Sequence, residues 1–289
     1  MSDLSRQTAL AARTADADLD RRFGGVARLY GVAAHARFVA AHVAVIGIGG
    51  VGSWAAEALA RSAVGQITLV DLDHIAESNT NRQIHALGDA YGRAKVETMA
   101  ERILAINPAA RVHAIDDFVS ADNVDELLAR PGRPIDVVID CIDQVQPKAA
   151  LLAHCRAQRI AVVTCGAAGG RLDPTRIRHD DLARAHGDPL LAKLRYRLRR
   201  QYRFPAEGTT GRLRKFGIAA VFSDEPVRKP APVGHCGAED AAPQGLSCAG
   251  YGSSVTVTAP LGFAAVAVAL RLLAAAVQPD AGLAPAGIA

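Results

Sequence analysis

The sequence of 289 residues lacks the closely spaced cysteine pairs that hold structural zinc ions and small disulfide-bonded domains. None of its five cysteines belongs to a Cys-x-x-Cys pair, so no structural zinc is expected. The odd number of cysteines also argues against a disulfide framework. The five residues are Cys141, Cys155, Cys165, Cys236 and Cys248.

The chain also lacks a large net charge and an apolar segment near its N-terminus. A formal charge of +4 is too small to identify a nucleic-acid partner, so the local distribution of cations has to decide that question. Acidic residues such as Asp3 and Asp16 stand where a signal peptide would need an apolar core, so no signal peptide is predicted. With 50% hydrophobic and 21% charged residues, the composition is typical of a soluble globular protein, which we expect in the cytoplasm.

Charge is missing altogether from one long stretch, residues 241–270, which is long enough on paper to cross a bilayer. Prolines and glycines, among them Pro243 and Pro260, interrupt its first two-thirds. Only residues 261–277 have the pattern of a helix, and Arg271 interrupts its end. We therefore expect a buried core helix here and no membrane association.

Short apolar runs alternate with helical segments in the part of the chain before Gly170. Fully apolar strands that alternate with helices predict an α/β fold with a doubly wound, mostly parallel Rossmann-like sheet. The predicted strands are 42–47, 66–71, 111–115, 135–140 and 160–166, and the predicted helices are 51–62, 97–106, 147–159 and 261–277.

A single domain is expected over residues 20–277, beginning with an N-terminal helical arm over 19–38. Residues 171–240 are rich in Arg, Gly and Pro and have weak periodicity, which predicts a basic insertion before the C-terminal helix. Residues 1–19 and 278–289 are expected to be flexible tails.

A glycine-rich motif follows the first predicted strand and opens the first predicted helix of the sheet. Its glycines are Gly47, Gly49, Gly50 and Gly52, and Asp71 ends the next strand. Glycines let the backbone approach phosphate, a helix N-terminus offers free N–H groups, and an acid at the end of the second strand can hold ribose hydroxyls. This context predicts a nucleotide site, although the motif alone does not separate a dinucleotide from ATP.

Polar residues just past the second and fourth strands favour ATP. Asp73, Asn79, Arg82 and Lys95 follow the second strand, and an amide and two cations there suit a triphosphate whose charge builds on the leaving pyrophosphate. Asp143 lies just beyond the fourth strand, at the same edge of the sheet, where a carboxylate can hold Mg²⁺. We expect ATP and Mg²⁺ as cofactors.

Together these motifs resemble the ubiquitin-activating-enzyme-like superfamily (ThiF/MoeB/HesA), whose members use ATP to adenylate a carboxylate and work mostly as homodimers. The likeness is greatest to its tRNA threonylcarbamoyladenosine dehydratase branch. The stretches that carry it are Arg-Phe-Gly-Gly-Val-Ala-Arg-Leu-Tyr-Gly at 22–31, Thr-Asn-Arg-Gln-Ile-His-Ala-Leu at 80–87, Pro-Lys-Ala-Ala at 147–150 and Asp-Pro-Thr at 173–175.

The resemblance implies a single ATP-binding adenylating domain that dehydrates threonylcarbamoyladenosine in tRNA through an acyl-adenylate. It implies Gly49, Gly50 and Gly52 on phosphate, Asp71 on ribose, Asn79, Arg82 and Lys95 on the phosphates, and Asp143 on Mg²⁺. Arg82, Lys95 and Asp143 would then be the catalytic residues.

Two departures from the wider superfamily are visible in the sequence. The paired zinc ligands of its biosynthetic members are missing. The N-terminal arginine pair that reaches into a neighbour's ATP site keeps Arg22 but has Gly25 at its second place, so a trans-acting arginine is not predicted.

A cluster of cations lies between residues 193 and 203, with two tyrosines and no acidic residue among them. Cations can neutralise backbone phosphates and tyrosine can stack on bases, so the cluster predicts contact with RNA. The predicted RNA-binding residues are Lys193, Arg195, Arg197, Arg199, Arg200 and Arg203.

Three other functions remain open at this level. An adenylyltransferase or sulfurtransferase could act on the C-terminus of a sulfur-carrier protein, with Cys236 or Cys248 as a relay and a cysteine desulfurase as partner. An NAD-dependent oxidoreductase would bind nicotinamide and would not need Arg82 and Lys95. An RNA-binding scaffold with a regulatory nucleotide would bind tRNA without turning over ATP.

Overall fold

The computed structural model describes residues 17–129, 132–206, 214–228 and 251–277. The helices are α1 (Leu19–Tyr30), α2 (Val32–Ala40), α3 (Gly52–Arg61), α4 (Lys95–Ile106), α5 (Val124–Ala129), α6 (Val145–Gln158), α7 (Pro189–Tyr202) and α8 (Val255–Ala275). The strands are β1 (His42–Ile46), β2 (Gln66–Val70), β3 (Arg111–Ile115), β4 (Val137–Asp140), β5 (Ala161–Cys165), β6 (Ile177–Asp181) and β7 (Ala219–Ser223).

The strands form one sheet in the order β3-β2-β1-β4-β5-β7-β6. Every neighbouring pair is parallel except β6 and β7, which are antiparallel at one edge. The chain winds from β1 outward to β3 and then crosses to β4 on the other side of β1, which is the doubly wound topology. The predicted fold class is confirmed.

Helices cover both faces of the sheet, because its central strands are apolar on both sides. Along β1, Val43 and Val45 point into a core formed with α2, α3, α4 and α8. Ala44 and Ile46 point into the opposite core, formed with α5, α6 and α7. Each fully buried Val, Ile or Leu contributes about 1.5–3 kcal/mol, so these two layers supply most of the driving force for the fold.

The N-terminal arm consists of two helices where one was predicted. Gly31 separates α1 from α2 and has a φ of 86°, a conformation that side chains with a Cβ rarely adopt. Its N–H closes α1 on the carbonyl of Ala27. The arm therefore bends at Gly31.

The C-terminal helix begins at Val255, six residues earlier than the predicted start at 261, and contains Pro260. Ser254 caps it by accepting a hydrogen bond from the Thr256 N–H. Among the described residues it is the one helix long and apolar enough to cross a membrane, yet 67% of its most apolar window is buried inside the protein. Its position in the core accounts for its composition.

Residues 171–240 include two strands and a helix of the sheet layers, which the predicted insertion did not contain. Strand β7 lies between β5 and β6, and α7 packs on the same face as α6. The described part of this segment therefore completes the sheet instead of being added to it. The single-domain boundaries 20–277 stay a prediction, as do the tails 1–19 and 278–289, which lie almost wholly outside the described residues.

Candidate nucleotide site and basic helix

A cavity of about 460 Å³ opens at the carboxyl ends of the central strands, where β1 and β4 lead the chain in opposite directions across the sheet. In doubly wound sheets this switch point is where ligands bind. Nine of the ten predicted nucleotide-site residues line the cavity: Gly47, Gly49, Gly50, Asp71, Asp73, Asn79, Arg82, Lys95 and Asp143. Gly52 is the tenth, and it does not line the cavity.

The glycines of the loop after β1 differ in what surrounds them. A Cβ on Gly49 would meet nothing within 4 Å, so its backbone is open to the cavity. A Cβ on Gly52 would lie 1.8 Å from the carbonyl oxygen of Gly47. Gly52 was predicted to contact phosphate, but its position assigns it to the close packing of α3 on β1.

Helix α3 points its N-terminus toward the cavity without a capping side chain. Its N-cap residue, Val51, lines the cavity and makes no side-chain cap hydrogen bond. The first N–H groups of a helix have no partner within the helix and carry the positive end of its dipole. This end of α3 is therefore suited to an anion such as phosphate.

Asp71 is fixed at the end of β2 by backbone hydrogen bonds. Its carboxylate accepts from the N–H of Ile48 at 2.5 Å and from the N–H of Asp73 at 2.9 Å. Burial raises the pKa of Asp71, while nearby Lys95 and the two N–H donors act in the opposite direction. These bonds join the loop after β1 to the loop after β2.

Lys95 is a buried cation at the start of α4, with 6% of its side chain exposed. Its Nζ lies 2.6 Å from Asp73 Oδ2 and 3.8 Å from Asp71 Oδ1. The side chain of Asp73 is 74% exposed, so that carboxylate can turn into solvent when an anion approaches Lys95. The ammonium is then available to a phosphate.

Arg82 lies on the loop after β2, where a short 3₁₀ turn (Glu77–Asn79) leads into it. Its Nη1 donates to the carbonyl of Ser78 at 2.7 Å and to Asn81 Oδ1 at 2.9 Å. A Cβ on Gly50 would touch the Arg82 stem at 3.2 Å, so the arginine packs directly on the glycine loop. The carbonyl oxygen of Arg82 accepts from Trp54 Nε1 at 2.9 Å, which holds this loop to α3.

Gln83 also lines the cavity, although no role was predicted for it. The residue is 6% exposed, and its Oε1 has no hydrogen-bond partner among the described residues. A buried polar atom without a partner is costly, so a ligand donor would relieve it. The residue stands beside Arg82 in the quoted motif, and its burial was the property that the sequence did not reveal.

A buried ion pair supports the turn that carries Asp143. Lys148 Nζ lies 2.9 Å from Asp140 Oδ2, with both side chains fully buried, and it also donates to the carbonyl of Ile142 at 2.9 Å. Thr164 Oγ1 donates to the same Asp140 oxygen at 2.7 Å. No role was predicted for Asp140 or Lys148, because only their spacing in the chain was visible.

Asp143 itself is exposed and reaches the cavity beyond that turn. Within the described ranges no group of three or more His, Cys, Asp or Glu side chains could hold a metal ion. Mg²⁺ in nucleotide sites takes one or two carboxylates together with phosphate oxygens and waters. The Asp143 carboxylate, which lines the cavity, fits that mode of binding.

The three described cysteines lie in or beside the core. Cys141 lines the cavity with its Sγ 3.8 Å from Cys165 Sγ, and this contact together with burial raises the pKa of the Cys141 thiol. Burial raises the pKa of Cys155 to about 12. Cys236 and Cys248, the predicted relay candidates, lie outside the described residues.

Arg22, the member of the arginine pair that this chain keeps, contacts its own chain. Its Nη1 donates to the carbonyl of Ile106 at 2.8 Å, at the C-terminus of α4. A cation at this end of a helix is favoured by the helix dipole and by the free carbonyls there.

Helix α7 carries five of the six predicted RNA-binding cations, and Arg203 follows at its C-cap. Leucines face the core at Leu190, Leu191, Leu194 and Leu198. The cations occupy the remaining positions: Lys193, Arg200 and Arg203 are exposed, and Arg195, Arg197 and Arg199 are partly buried.

Arg199 packs differently from the exposed cations of α7. Its guanidinium lies 5.3 Å from the ring centre of Phe216, and its Nε donates to the carbonyl of Pro205. The helix is therefore amphipathic, and its exposed face is cationic. Leu190, on the apolar face near its start, lines the nucleotide cavity, so the first turn of the helix lies at the cavity.

Comparison with known proteins identifies the family of this chain. The model of the ThiF family matches residues 24–282. The tRNA threonylcarbamoyladenosine dehydratase of Escherichia coli is 50% identical over 259 residues, which covers 88% of this chain and 94% of that protein. The protein of the same name from Haemophilus influenzae is 46% identical over 248 residues, which covers 86% of this chain and 91% of that protein.

Solved structures agree with the sequence relatives. The crystal structure of the E. coli dehydratase, TcdA, in complex with ATP has a TM-score of 0.79 at 47% identity and covers 91% of this chain and 98% of that chain. Its complex with AMP has a TM-score of 0.78 at 48% identity and covers 90% of this chain and 97% of that chain. This chain belongs to the ThiF family and, within it, to the tRNA threonylcarbamoyladenosine dehydratases.

Proposed function

We propose that this chain uses ATP and Mg²⁺ to remove water from threonylcarbamoyladenosine in tRNA. The names of its relatives and the ATP and AMP complexes of the E. coli protein support this activity. One observation in the fold carries the proposal. Residues from the loops after β1, β2 and β4 and from the start of α4 line a single cavity at the switch point of the sheet.

The reaction begins with adenylation of the substrate. An oxygen of the threonyl carboxylate attacks the α-phosphorus of ATP, an acyl-adenylate forms, and pyrophosphate leaves. An atom of the carbamoyl group then attacks the activated carbonyl carbon, a ring closes, and AMP departs with the carboxylate oxygen. The nucleophile loses one proton, so the substrate has lost one water overall.

The chain's own residues favour this sequence of steps by position and charge. Arg82 and Lys95 line the cavity, where they would stabilise the charge that develops on the leaving pyrophosphate, and the N-terminus of α3 would add donors that need no rearrangement. Asp71 stands at the end of β2, where such folds hold ribose. The nucleophile of the second step belongs to the substrate itself. Its proximity to the activated carbonyl carbon therefore accelerates ring closure, and no enzyme thiol is required.

Mg²⁺ is part of the proposal because Asp143 offers a carboxylate to the cavity. The ion would neutralise phosphate charge and polarise the bonds that break. Asp140 and Lys148 would act indirectly, by fixing the turn from which Asp143 reaches the cavity.

The cationic face of α7 supports tRNA as the substrate, because a cationic surface neutralises backbone phosphates.

The sulfur-carrier alternative is not favoured, since the relatives that this chain matches over most of their length carry the dehydratase name. We also propose that the enzyme is cytoplasmic, because its proposed substrate is tRNA.

We also include a homodimer in the proposal. Leu29 and Val32, on α1 and α2, are 78% and 79% exposed. Apolar side chains so exposed on one arm are typical of a surface that a partner covers. Sedimentation of the purified chain tests this, and a monomer at micromolar concentration would contradict it.

The activity is tested by incubating the protein with ATP, Mg²⁺ and modified tRNA and measuring the mass of the nucleoside. We expect the loss of one water from threonylcarbamoyladenosine. Arg82→Ala should lower turnover by about 100-fold or more, because it removes a preorganised charge, while tRNA affinity stays nearly intact. Arg93→Ala is the matched control, since Arg93 pairs with Glu101 away from the cavity lining.

Two results of this experiment would contradict the proposal. An unchanged nucleoside mass would exclude the dehydration. Equal loss of turnover and tRNA affinity in Arg82→Ala would indicate a structural role for that residue.

A further inference from the structure

A groove of about 720 Å³ lies beside the nucleotide cavity, between the start of α6 and the exposed face of α7. Its lining includes Val145, Lys193, Tyr196, Arg197 and Arg200. The same two helices continue from the groove to the cavity. Gln144 and Leu190, which line the nucleotide cavity, lie next to the groove-lining parts of α6 and α7 in the chain.

Tyr196 is the aromatic residue of this groove, and 61% of it is exposed. Arg200 holds it in place, with Nη1 donating to the tyrosine hydroxyl at 2.7 Å and the guanidinium 6.0 Å from the ring centre. Tyr202, the other tyrosine of α7, is partly buried and packs on the core. Of the two, only Tyr196 presents a large aromatic surface to solvent.

The charge around Tyr196 has one sign. Lys193 and Arg200 are three residues before it and four residues after it, which places them beside it on the helix surface. No acidic residue occurs from Pro189 to Arg203. An exposed ring among cations suits a nucleotide, because the ring can stack on the base while the cations neutralise the phosphates.

The distance to the nucleotide cavity is short. Leu190 lines the cavity, and six residues of helix separate it from Tyr196, a rise of about 9 Å. A nucleotide bound at Tyr196 would therefore be close, along the RNA strand, to the nucleotide that enters the cavity. Bases that can stack on protein side chains are those of single-stranded loops, since bases in a duplex are already stacked.

We propose that Tyr196 is a stacking platform for an unpaired nucleobase of the RNA substrate, with Lys193, Arg197 and Arg200 on the flanking phosphates. This inference rests on the proposed function, because the RNA is the tRNA whose modified nucleoside reaches the cavity. The base that stacks is an unpaired base close to that nucleoside in the RNA.

The test measures the affinity for modified tRNA as a function of salt concentration, together with steady-state turnover. Tyr196→Ala should weaken binding about tenfold at every salt concentration, because a stacking contact is lost and no phosphate contact is lost. Tyr196→Phe keeps the ring and should bind within about twofold of the parent. In turnover, Tyr196→Ala should raise KM and leave kcat unchanged.

Lys193→Gln is the matched electrostatic control on the same face of α7. It should lower the slope of log affinity against log salt by about one, because one phosphate contact is lost. Tyr196→Trp provides a second variant with a larger ring. It should bind at least as tightly as the parent, and its added fluorescence should be quenched when RNA binds.

Several outcomes would overturn the stacking role. If the parent binds and dehydrates tRNA while Tyr196→Ala binds equally well, the inference is wrong and the proposed function stands. If Tyr196→Ala changes the salt slope as Lys193→Gln does, the ring acts only by positioning cations. If the parent binds neither tRNA nor a short single-stranded RNA, then the cationic face of α7 does not bind RNA and the inference is wrong as well. If Tyr196→Ala does not fold, an unquenched Tyr196→Trp overturns the inference.

Discussion

Each glycine of the loop after β1 meets a different steric demand. Gly47 has a φ of 87°, and a Cβ on it would lie 3.1 Å from the backbone of Cys141. Gly49 faces the open cavity, and Gly52 packs on Gly47. Ligand access and strand–helix packing are therefore divided between neighbouring residues of one motif.

This division predicts opposite effects of two alanine substitutions. Gly52→Ala should destabilise the protein by about 3 kcal/mol or more, because the new methyl group collides with a backbone carbonyl. Gly49→Ala should leave stability unchanged but weaken ATP binding about tenfold, since the methyl group lies in the path of the phosphates. Urea unfolding and ATP titration of both variants check this, and similar stabilities would contradict the assignment.

The Asp140–Lys148 pair is fully buried, so each charge depends on the other. Lys148→Met should destabilise the protein by about 3–5 kcal/mol, because an uncompensated carboxylate remains inside. The double variant Asp140→Leu with Lys148→Met should lose much less, since no charge is left buried. Urea unfolding of the three proteins measures both values, and additive losses would show that the pair does not interact.

His85 predicts a pH dependence of stability. Burial, followed by the charges of Lys95 and Arg102, lowers its pKa to about 4 from 6.5. Below pH 6.5 the unfolded chain therefore binds a proton that the folded chain does not, and the folded state loses stability until the pH falls through about 4. At pH 5 this loss is about 2 kcal/mol relative to neutral pH.

His85→Leu removes that titration and isolates its contribution. The drop in unfolding free energy between pH 7 and pH 5 should be smaller in the variant than in the parent by about 2 kcal/mol. Urea unfolding at the two pH values gives the comparison. Equal drops in the two proteins would mean that His85 takes up its proton in the folded state.

At the scale of single residues, the sequence predicted side chains whose chemistry alone suggests a role. Arg82, Lys95 and Asp143 stood out because cations and acids just beyond predicted strands favour a phosphate site. Gln83 and Asp140 did not, because their importance comes from burial and from a missing or distant partner. Those properties depend on tertiary contacts, which the amino-acid sequence does not show directly.

Helices α3 and α8 pack closely at one glycine. A Cβ on Gly262 would lie 2.6 Å from the carbonyl oxygen of Val51 and 3.0 Å from the N–H nitrogen of Ala55. Val51 is the N-cap of the helix that points at the cavity. The C-terminal helix therefore packs against the end of α3 that is proposed to bind phosphate.

Gly262→Ala should separate these two helices. We expect a loss of about 1–3 kcal/mol in unfolding free energy, because a well-packed contact is overfilled. Gly25→Ala is a matched control: Gly25 lies within α1, and the one atom a Cβ there would meet within 4 Å is the tip of the flexible Arg28 side chain, at 4.0 Å. That change should stabilise by up to about 1 kcal/mol through helix propensity. Equal effects of the two substitutions, measured by thermal unfolding, would contradict the close contact.

At the scale of elements, the strands predicted correctly are those next to recognisable helices or turns. Strand β7 is a five-residue run that becomes identifiable only from its place between β5 and β6. Strand β6, Ile-Arg-His-Asp-Asp, is a polar edge strand without an apolar pattern. The early start of α8 was missed because Pro260 suggests a break, while the Ser254 cap begins the helix before it.

The whole molecule presents two adjoining features on one side of the sheet. The nucleotide cavity lies at the carboxyl ends of the strands, and α7, whose exposed face is cationic, begins beside it. In the proposed function, an RNA held on α7 would place its reactive carboxylate beside the α-phosphate of ATP. This arrangement favours adenylation of an RNA-borne carboxylate.

Exchange of radiolabelled pyrophosphate into ATP is a direct test of this adenylation, because exchange requires reversible formation of the acyl-adenylate. With Mg²⁺ present, the protein should catalyse exchange when tRNA carrying threonylcarbamoyladenosine is added, and not with unmodified tRNA or with a sulfur-carrier protein. Arg82→Ala should abolish the exchange. Exchange that is independent of the modified tRNA, or that requires the carrier protein, would contradict adenylation of the tRNA-borne carboxylate.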